Sequence, residues 1–120
     1  GKSQLSVMEV NGQDISQYGV IVPDEKPGSV VGLVEKPKFE DAPSNLASIG
    51  RYVLTSDIFE ILRKQPAGIG GEIQLADAIN VQAENGGVEA VALTGDRFDC
   101  GNVRGYIDAT MHVAKKLALI

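Results

Sequence analysis

Two runs of β-branched and apolar residues, separated by a short polar loop, constrain the fold more than any other feature of the sequence. Residues 18–23 read YGVIVP and residues 30–37 read VVGLVEKP, and the loop between them contains Pro27 and Gly28. Such runs are typical of strands, and a short connection with Pro and Gly joins strands that pair antiparallel. The sequence therefore predicts a β-hairpin, and hence a sheet with some antiparallel pairing.

Further strands are predicted on both sides of this hairpin. The segments are 4–10, 46–55 with Gly50 inside it, 88–95, and a short strand in the RFDCG run at 97–101. Helices are predicted from Ser56 or Asp57 to Pro66, over 72–85, and from Asn102 onward. Asp57 and Glu60 resemble a capping box at the start of the first helix. A stripe at helical spacing marks the last helix: Val103, Ile107, Thr110, Ala114 and Leu117. The order of elements predicts an α/β or α+β fold.

Composition bounds the domain count and the class of partner. The 120 residues are 43% hydrophobic and 22% charged, which suits one soluble domain spanning 1–120. The net charge of −5 is spread along the chain without a basic block. Nucleic acids and anionic membranes attract clustered Lys and Arg, so neither is expected as a partner. A small phosphorylated ligand, which needs one or two cations, stays compatible.

Cysteine usage and hydropathy indicate a cytoplasmic setting. Cys100 is the only cysteine, so neither an intramolecular disulfide nor a Cys-based zinc site can form. The first ten residues lack the apolar core of a signal peptide. No run approaches the ~18 apolar residues that a membrane span needs.

Glu35 and Lys36 stand side by side where the third strand ends. Glutamate accepts hydrogen bonds from sugar hydroxyls, and lysine is a compact charge for a phosphate. The pair could therefore hold a sugar phosphate by its two ends, although residue chemistry alone favours a solvated strand end with a helpful charge pair.

Asp99 is a candidate metal ligand, because a carboxylate just before a helix can bind Mg²⁺ together with phosphate oxygens and water. The alternative is that it caps the last helix or solvates a turn.

Gly19 lies at the start of one strand and Gly50 interrupts another. Glycine at such positions indicates a ligand close to the backbone or, equally, a plain bulge or tight packing against a helix. We expect His112 to be a surface or packing residue and Cys100 to be buried structure.

Together these motifs resemble a known enzyme family. YGV, VEKP, APSNLASIGRYVL, GGEIQLADAI and DCGNVRGY occur in this order. The chain from about Tyr18 to its end is similar to the bacterial UTP–glucose-1-phosphate uridylyltransferases, a branch of the sugar-phosphate nucleotidyltransferases. The resemblance implies part of a Rossmann-like mixed sheet with flanking helices. It ranks the uridylyl branch above the thymidylyl branch, which shares EKP.

The resemblance also implies roles for individual residues. Glu35 would bind glucose hydroxyls, Lys36 would contact the sugar phosphate as the catalytic cation, and Asp99 would hold Mg²⁺. Gly19 would offer its backbone to the sugar, and Gly50 would lie in a strand lining the same pocket. The substrates would be glucose 1-phosphate and UTP.

One departure limits this resemblance. The glycine-rich G-x-G-T-R loop that cradles the nucleotide and the second metal-binding aspartate have no counterpart in this sequence. We therefore expect the chain to correspond to the C-terminal, sugar-binding portion of such an enzyme, without the nucleotide-binding half. Alone it should be inactive and should form homo-oligomers through faces that a longer protein would cover. A non-catalytic phosphosugar-binding or assembly module is the alternative function.

Overall fold

The computed structural model describes residues 1–68 and 70–120 fully and residue 69 by its backbone alone. Within them, five strands form one sheet: β1 Ser3–Glu9, β2 Gly19–Pro23, β3 Val30–Glu35, β4 Leu46–Val53 and β5 Val88–Ala92. The α-helices are α1 Ile58–Lys64, α2 Leu75–Glu84 and α3 Val103–Lys116. Short 3-10 turns include Gly12–Gln17 and Phe39–Asp41. No helix in the described part is long and apolar enough to cross a bilayer.

The sheet is mixed, with strand order β3-β2-β4-β1-β5. β2 pairs antiparallel with both β3 and β4, β1 pairs antiparallel with β4, and β1 runs parallel to β5. The predicted hairpin is confirmed, and so is the α/β class with helices beside a mixed sheet. The hairpin register sets Gly19 directly opposite Glu35.

One face of the sheet carries the main core. β1 alternates as a half-buried strand should, with Ser3, Leu5 and Val7 buried and the residues between them more exposed. The core comprises Leu5, Val7, Ile21, Val30, Ile58, Ala78, Ile79, Ala83 and Val88. A smaller cluster of Ile15, Val20 and Ala47 includes a residue of the first 3-10 turn. Helices α1 and α2 thus cover one side of the sheet.

A buried polar network joins the start of β1 to the helices. Ser3 Oγ donates to Gln82 Oε1 at 2.8 Å, and Gln82 Nε2 donates to Thr55 Oγ1 at 3.0 Å and to Asp57 Oδ1 at 2.9 Å. The predicted Asp57–Glu60 capping box is wrong: Asp57 has helical φ/ψ, and its side chain makes no capping bond. Its carboxylate is taken up by Gln82 and by the Thr55 hydroxyl.

The start of one helix, one strand and the burial of one residue were also predicted wrongly. Helix α2 begins at Leu75 rather than at residue 72, because Glu72 and Gln74 have extended backbone. The RFDCG run is a loop, since no strand in the described part of the chain pairs with it. Cys100, expected to be buried, is exposed in this loop.

Helix α3 forms as predicted but does not pack into the core. Asn102 caps it by accepting a hydrogen bond from the Gly105 N–H at 2.8 Å, and Lys115 and Lys116 lie in its last turn. None of its residues is buried, and Val103 is 77% exposed. The Cα radius of gyration is 16.1 Å, whereas a compact domain of this length has roughly 14 Å. The apolar stripe of α3 therefore has no partner among the described residues.

Candidate functional site

A cavity of about 200 Å³ opens where β2, β3 and β4 lie side by side. It forms there because the register places Gly19 opposite Glu35 on one neighbour and opposite Ser48 on the other. Residues of all three strands line it: Tyr18, Gly19, Glu35, Ser48, Gly50 and Tyr52. Three of the predicted site residues, Gly19, Glu35 and Gly50, therefore meet at one cavity.

Gly19 allows the Glu35 carboxylate to lie over the backbone. A Cβ at this position would be 3.2 Å from Glu35 Oε2 and 3.4 Å from Leu33 Cδ1. The register of β2 with β3 is regular here and shifts only between Val22 and Pro23. Close approach, and not a bulge, is thus the reason for glycine at position 19.

Gly50 does lie at a bulge. Pairing of β1 with β4 shifts between Leu5 and Val7, which face Tyr52 and Ser48 respectively. The extra residues on β4 include Gly50, whose φ of 81° is in the left-handed region that favours glycine. The bulge, which was one of the explanations left open by the sequence, is observed, and the same residue lines the cavity.

Lys36 follows Glu35 in an unusual backbone conformation. Its φ is 45°, although it is not glycine, and its N–H donates to the Tyr18 carbonyl at 3.0 Å. Left-handed conformations of such residues cost about 1–2 kcal/mol and concentrate at functional sites. The buried Pro37 follows and fixes the chain beyond it. The turn places Lys36 in a neighbouring cavity of about 330 Å³, beside Glu35, Gln74 and Asp77.

Asp99 lies in the loop before α3. Its Oδ1 accepts a hydrogen bond from the Gly101 N–H at 2.9 Å, and its carbonyl accepts one from Asn102 Nδ2 at 3.3 Å. It does not line the cavities described above. Asn102, and not Asp99, caps α3. In the described part of the chain, no three His, Cys, Asp or Glu side chains cluster as a metal site.

Several residues at the site were missed in the sequence. Ser48 Oγ is buried and has no hydrogen-bond partner among the described residues. Its only signal is its place two residues before Gly50 in a strand. Asp77 lies within the helix predicted over 72–85 and shares a cavity with Glu35 and Lys36. Tyr18 was read only as the start of a strand, but its hydroxyl accepts a hydrogen bond from Arg97 Nη1 at 3.3 Å.

Comparisons with known proteins agree with this architecture. The family model described as "Nucleotidyl transferase" matches residues 1–116. A UTP–glucose-1-phosphate uridylyltransferase of Pseudomonas aeruginosa is 50% identical over 109 residues, which cover 88% of this chain and 39% of the relative. The Escherichia coli K12 protein of the same name is 49% identical over 117 residues, 91% of this chain and 37% of the relative. The chain thus spans about two fifths of the length of these relatives.

Solved structures give the same picture. An apo UDP-glucose pyrophosphorylase superposes with a TM-score of 0.85 and 46% identity, covering 96% of this chain and 43% of that one. A UDP-glucose pyrophosphorylase complexed with UDP-glucose gives a TM-score of 0.84 at 46% identity, over 96% of this chain and 45% of that one. A Bacillus anthracis protein described as a putative thymidylyltransferase, at 20% identity and a TM-score of 0.72 over 90% of this chain and 42% of that one, shares the fold.

Proposed function

Because the chain belongs to the nucleotidyl transferase family, we propose that it is the sugar-phosphate-binding part of a UTP–glucose-1-phosphate uridylyltransferase. The whole enzyme would join UTP and glucose 1-phosphate to give UDP-glucose and pyrophosphate. A phosphate oxygen of the sugar attacks the α-phosphorus of UTP, and pyrophosphate leaves. Such a reaction depends on positioning and on charge neutralisation more than on covalent chemistry by the protein.

The observation that supports this role most directly is the juxtaposition of Gly19 and Glu35. The carboxylate accepts hydrogen bonds from hexose hydroxyls, and the missing Cβ of Gly19 lets this carboxylate lie over the strand at the cavity. Gly50 lines the same cavity. This places one acceptor and two side-chain-free backbone segments around a space suited to a sugar ring.

Lys36 would bind the phosphate of the same ligand. Its ammonium group neutralises charge on the phosphate oxygens, which lowers the barrier to their approach to a nucleotide. The left-handed backbone at Lys36 sets it in the cavity next to the one where Glu35 faces Gly19. Neighbouring residues can therefore hold the two ends of one glucose 1-phosphate.

Asp99 is proposed as one ligand of Mg²⁺. Its hard oxygen donor suits this ion, which commonly uses only one or two protein carboxylates and takes phosphate oxygens and water for the rest. Mg²⁺ would supply further neutralisation of phosphate charge. Asp99 would hold the ion at its carboxylate, and no other residue is assigned to it.

Four further statements remain predictions. The fraction of each relative that the chain covers does not say which part of the relative it matches. Correspondence to the C-terminal portion is therefore a prediction from the motifs alone. The isolated chain is expected to release no pyrophosphate, since no nucleotide-binding loop is recognised in it. Homo-oligomer formation and a cytoplasmic location are likewise expectations.

The chain contains a matched control for the binding test. Glu25-Lys26-Pro27 repeats the EKP tripeptide of residues 35–37 and is exposed in the loop at the opposite end of the hairpin. Titration of the chain with glucose 1-phosphate should give saturable heat by calorimetry. Glu35→Gln with Lys36→Met should weaken binding at least tenfold, whereas Glu25→Gln with Lys26→Met should not. Equal affinities in the two double variants would refute the assignment.

A further inference from the structure

Tyr18 is contacted by two chain segments that are distant in sequence. Its carbonyl accepts the Lys36 N–H at 3.0 Å, which fixes the backbone at the end of the hairpin. Its hydroxyl accepts a hydrogen bond from Arg97 Nη1 at 3.3 Å, and the guanidinium carbon lies 5.4 Å from the ring centroid. The same residue lines the cavity that contains Gly19 and Glu35.

Arg97 belongs to the loop that carries Asp99, two residues farther on. This loop is tied to α3 by other contacts: the Phe98 ring lies 5.1 Å from that of His112, and His112 Nε2 lies 3.5 Å from Asp96 Oδ2. Among the described side-chain hydrogen bonds of residues 95–102, the one from Arg97 to Tyr18 is the one that reaches the hairpin. The chain just before the loop is anchored to β1 by the Leu93 N–H, which donates to the Val7 carbonyl at 2.9 Å, so this pair is the side-chain contact that can direct the loop toward the hairpin.

Arginine suits such a contact better than lysine does. A planar guanidinium can stack on an aromatic ring while one of its N–H groups donates to the phenol oxygen. Lysine retains the charge but lacks the planar geometry. Arg97 does not line the cavity of Glu35 and Gly19, so its effect on a ligand there would be indirect.

We propose that Tyr18 and Arg97 form a clamp that holds the Asp99 loop beside the Glu35–Lys36 end of the hairpin, with Arg97 as a positioning residue. The clamp is inferred from geometry, while its consequence for sugar-phosphate binding rests on the proposed function. Two measurements test the clamp and its effect on binding separately: the first needs no ligand, and the second uses glucose 1-phosphate.

The ligand-free readout uses Cys100, the only cysteine in the sequence and exposed. It follows Arg97 by three residues, which span at most about 11 Å of extended chain. A nitroxide on its sulfur should broaden the amide NMR signals of Gly19 and Lys36. Arg97→Met should at least halve this broadening, and Arg97→Lys should have an intermediate effect.

Arg104→Met is the control, because Arg104 is an exposed arginine paired with Asp108 within α3. It should leave the broadening unchanged. Unchanged broadening in Arg97→Met, with the remaining amide signals in their native positions, would overturn the clamp.

The second readout is the affinity of the unlabelled chain for glucose 1-phosphate. Arg97→Met should raise the Kd about two- to fivefold, as expected for loss of an exposed cation–π and hydrogen-bonded contact. Arg104→Met should not change it. Equal Kd values for Arg97→Met and the native chain would overturn the positioning role and leave the proposed function standing. If the native chain binds no glucose 1-phosphate, the proposed function and the positioning role fail together, and the broadening decides the clamp by itself.

Discussion

Replacing Gly19 with alanine should separate sugar-phosphate binding from stability. The new Cβ would lie 3.2 Å from Glu35 Oε2 and 3.4 Å from Leu33 Cδ1. The first contact is too close, and its partner is the far end of an exposed, flexible side chain. We therefore expect the Glu35 carboxylate to move by a few tenths of an ångström or to change rotamer.

The expected stability change is small because two effects oppose each other. Alanine in a strand is favoured over glycine by about 0.5–1 kcal/mol, since glycine loses more backbone freedom on folding. Displacing Glu35 from its rotamer costs about 0.5–1.5 kcal/mol. The free energy of unfolding should thus change by less than about 1 kcal/mol. Glucose 1-phosphate affinity should fall about tenfold or more, because a displaced carboxylate loses charge-assisted hydrogen bonds worth ~1.5–3 kcal/mol.

Gly50→Ala is the matched comparison, because here the backbone conformation is unfavourable for alanine while the space around the Cβ is open. Apart from the two adjoining residues, no described atom lies within 4 Å of the added Cβ, but φ is 81°. Alanine would be strained there by about 1–2 kcal/mol. Urea titrations should therefore show a loss of about 1–2 kcal/mol that arises from backbone strain and not from a steric clash of the added methyl group.

Urea unfolding and calorimetric titration with glucose 1-phosphate check both variants. The reasoning fails if Gly19→Ala binds the ligand normally. It fails equally if Gly19→Ala loses more than about 2 kcal/mol of stability. Movement of the exposed Glu35 side chain away from the new Cβ could not cost that much.

Three further predictions concern the surroundings of the site. Gln82→Leu should cost about 1–3 kcal/mol in urea unfolding, because it removes the 2.8 Å acceptor of the buried Ser3 hydroxyl and the amide that donates to Thr55 and Asp57; an unchanged free energy of unfolding would contradict the network. Gly105→Ala should cost about 1–3 kcal/mol, since its Cβ would overlap the Asp99 carbonyl oxygen, and hydrogen exchange of α3 amides should accelerate; native exchange rates would refute this contact. Ile107→Ser on the exposed stripe of α3 should reduce self-association in light scattering without loss of helicity, and a monomeric native chain at high concentration would count against the premise.

Local pattern predicted most of the elements, and tertiary contacts account for the errors. The hairpin and α3 follow from β-branched runs and from helical spacing, which act within a few residues. The capping box failed because Gln82, 25 residues away, takes up the Asp57 carboxylate. The RFDCG run alternates like a strand, yet pairing needs a neighbour that sequence pattern does not provide. The apolar periodicity of residues 103–117 likewise predicted helix α3 correctly, but it does not indicate which surface packs against the apolar stripe.

The site was predictable in part for the same reason. Glu35 and Lys36 were singled out as a charged pair at a strand end, although Glu25 and Lys26 repeat the tripeptide with equal local merit. In the structure, the register sets Glu35 opposite Gly19, whereas Glu25 and Lys26 lie exposed in the hairpin loop. The contact between Tyr18 and Arg97 joins positions 79 residues apart and has no local signal.

The placement of Glu35 depends ultimately on burial elsewhere in the hairpin. Ile21 lies opposite Leu33, and both contribute to the main core beneath α2. Gly19 lies two residues before Ile21, and Glu35 lies two residues after Leu33. Both positions are therefore on the same face of the sheet as that pair, just beyond the end of the core. A slip of one residue would expose Leu33 and turn Glu35 to the opposite face. The apolar contacts that stabilise the sheet therefore also direct the carboxylate into the cavity, and variants that weaken them should lose binding and stability together.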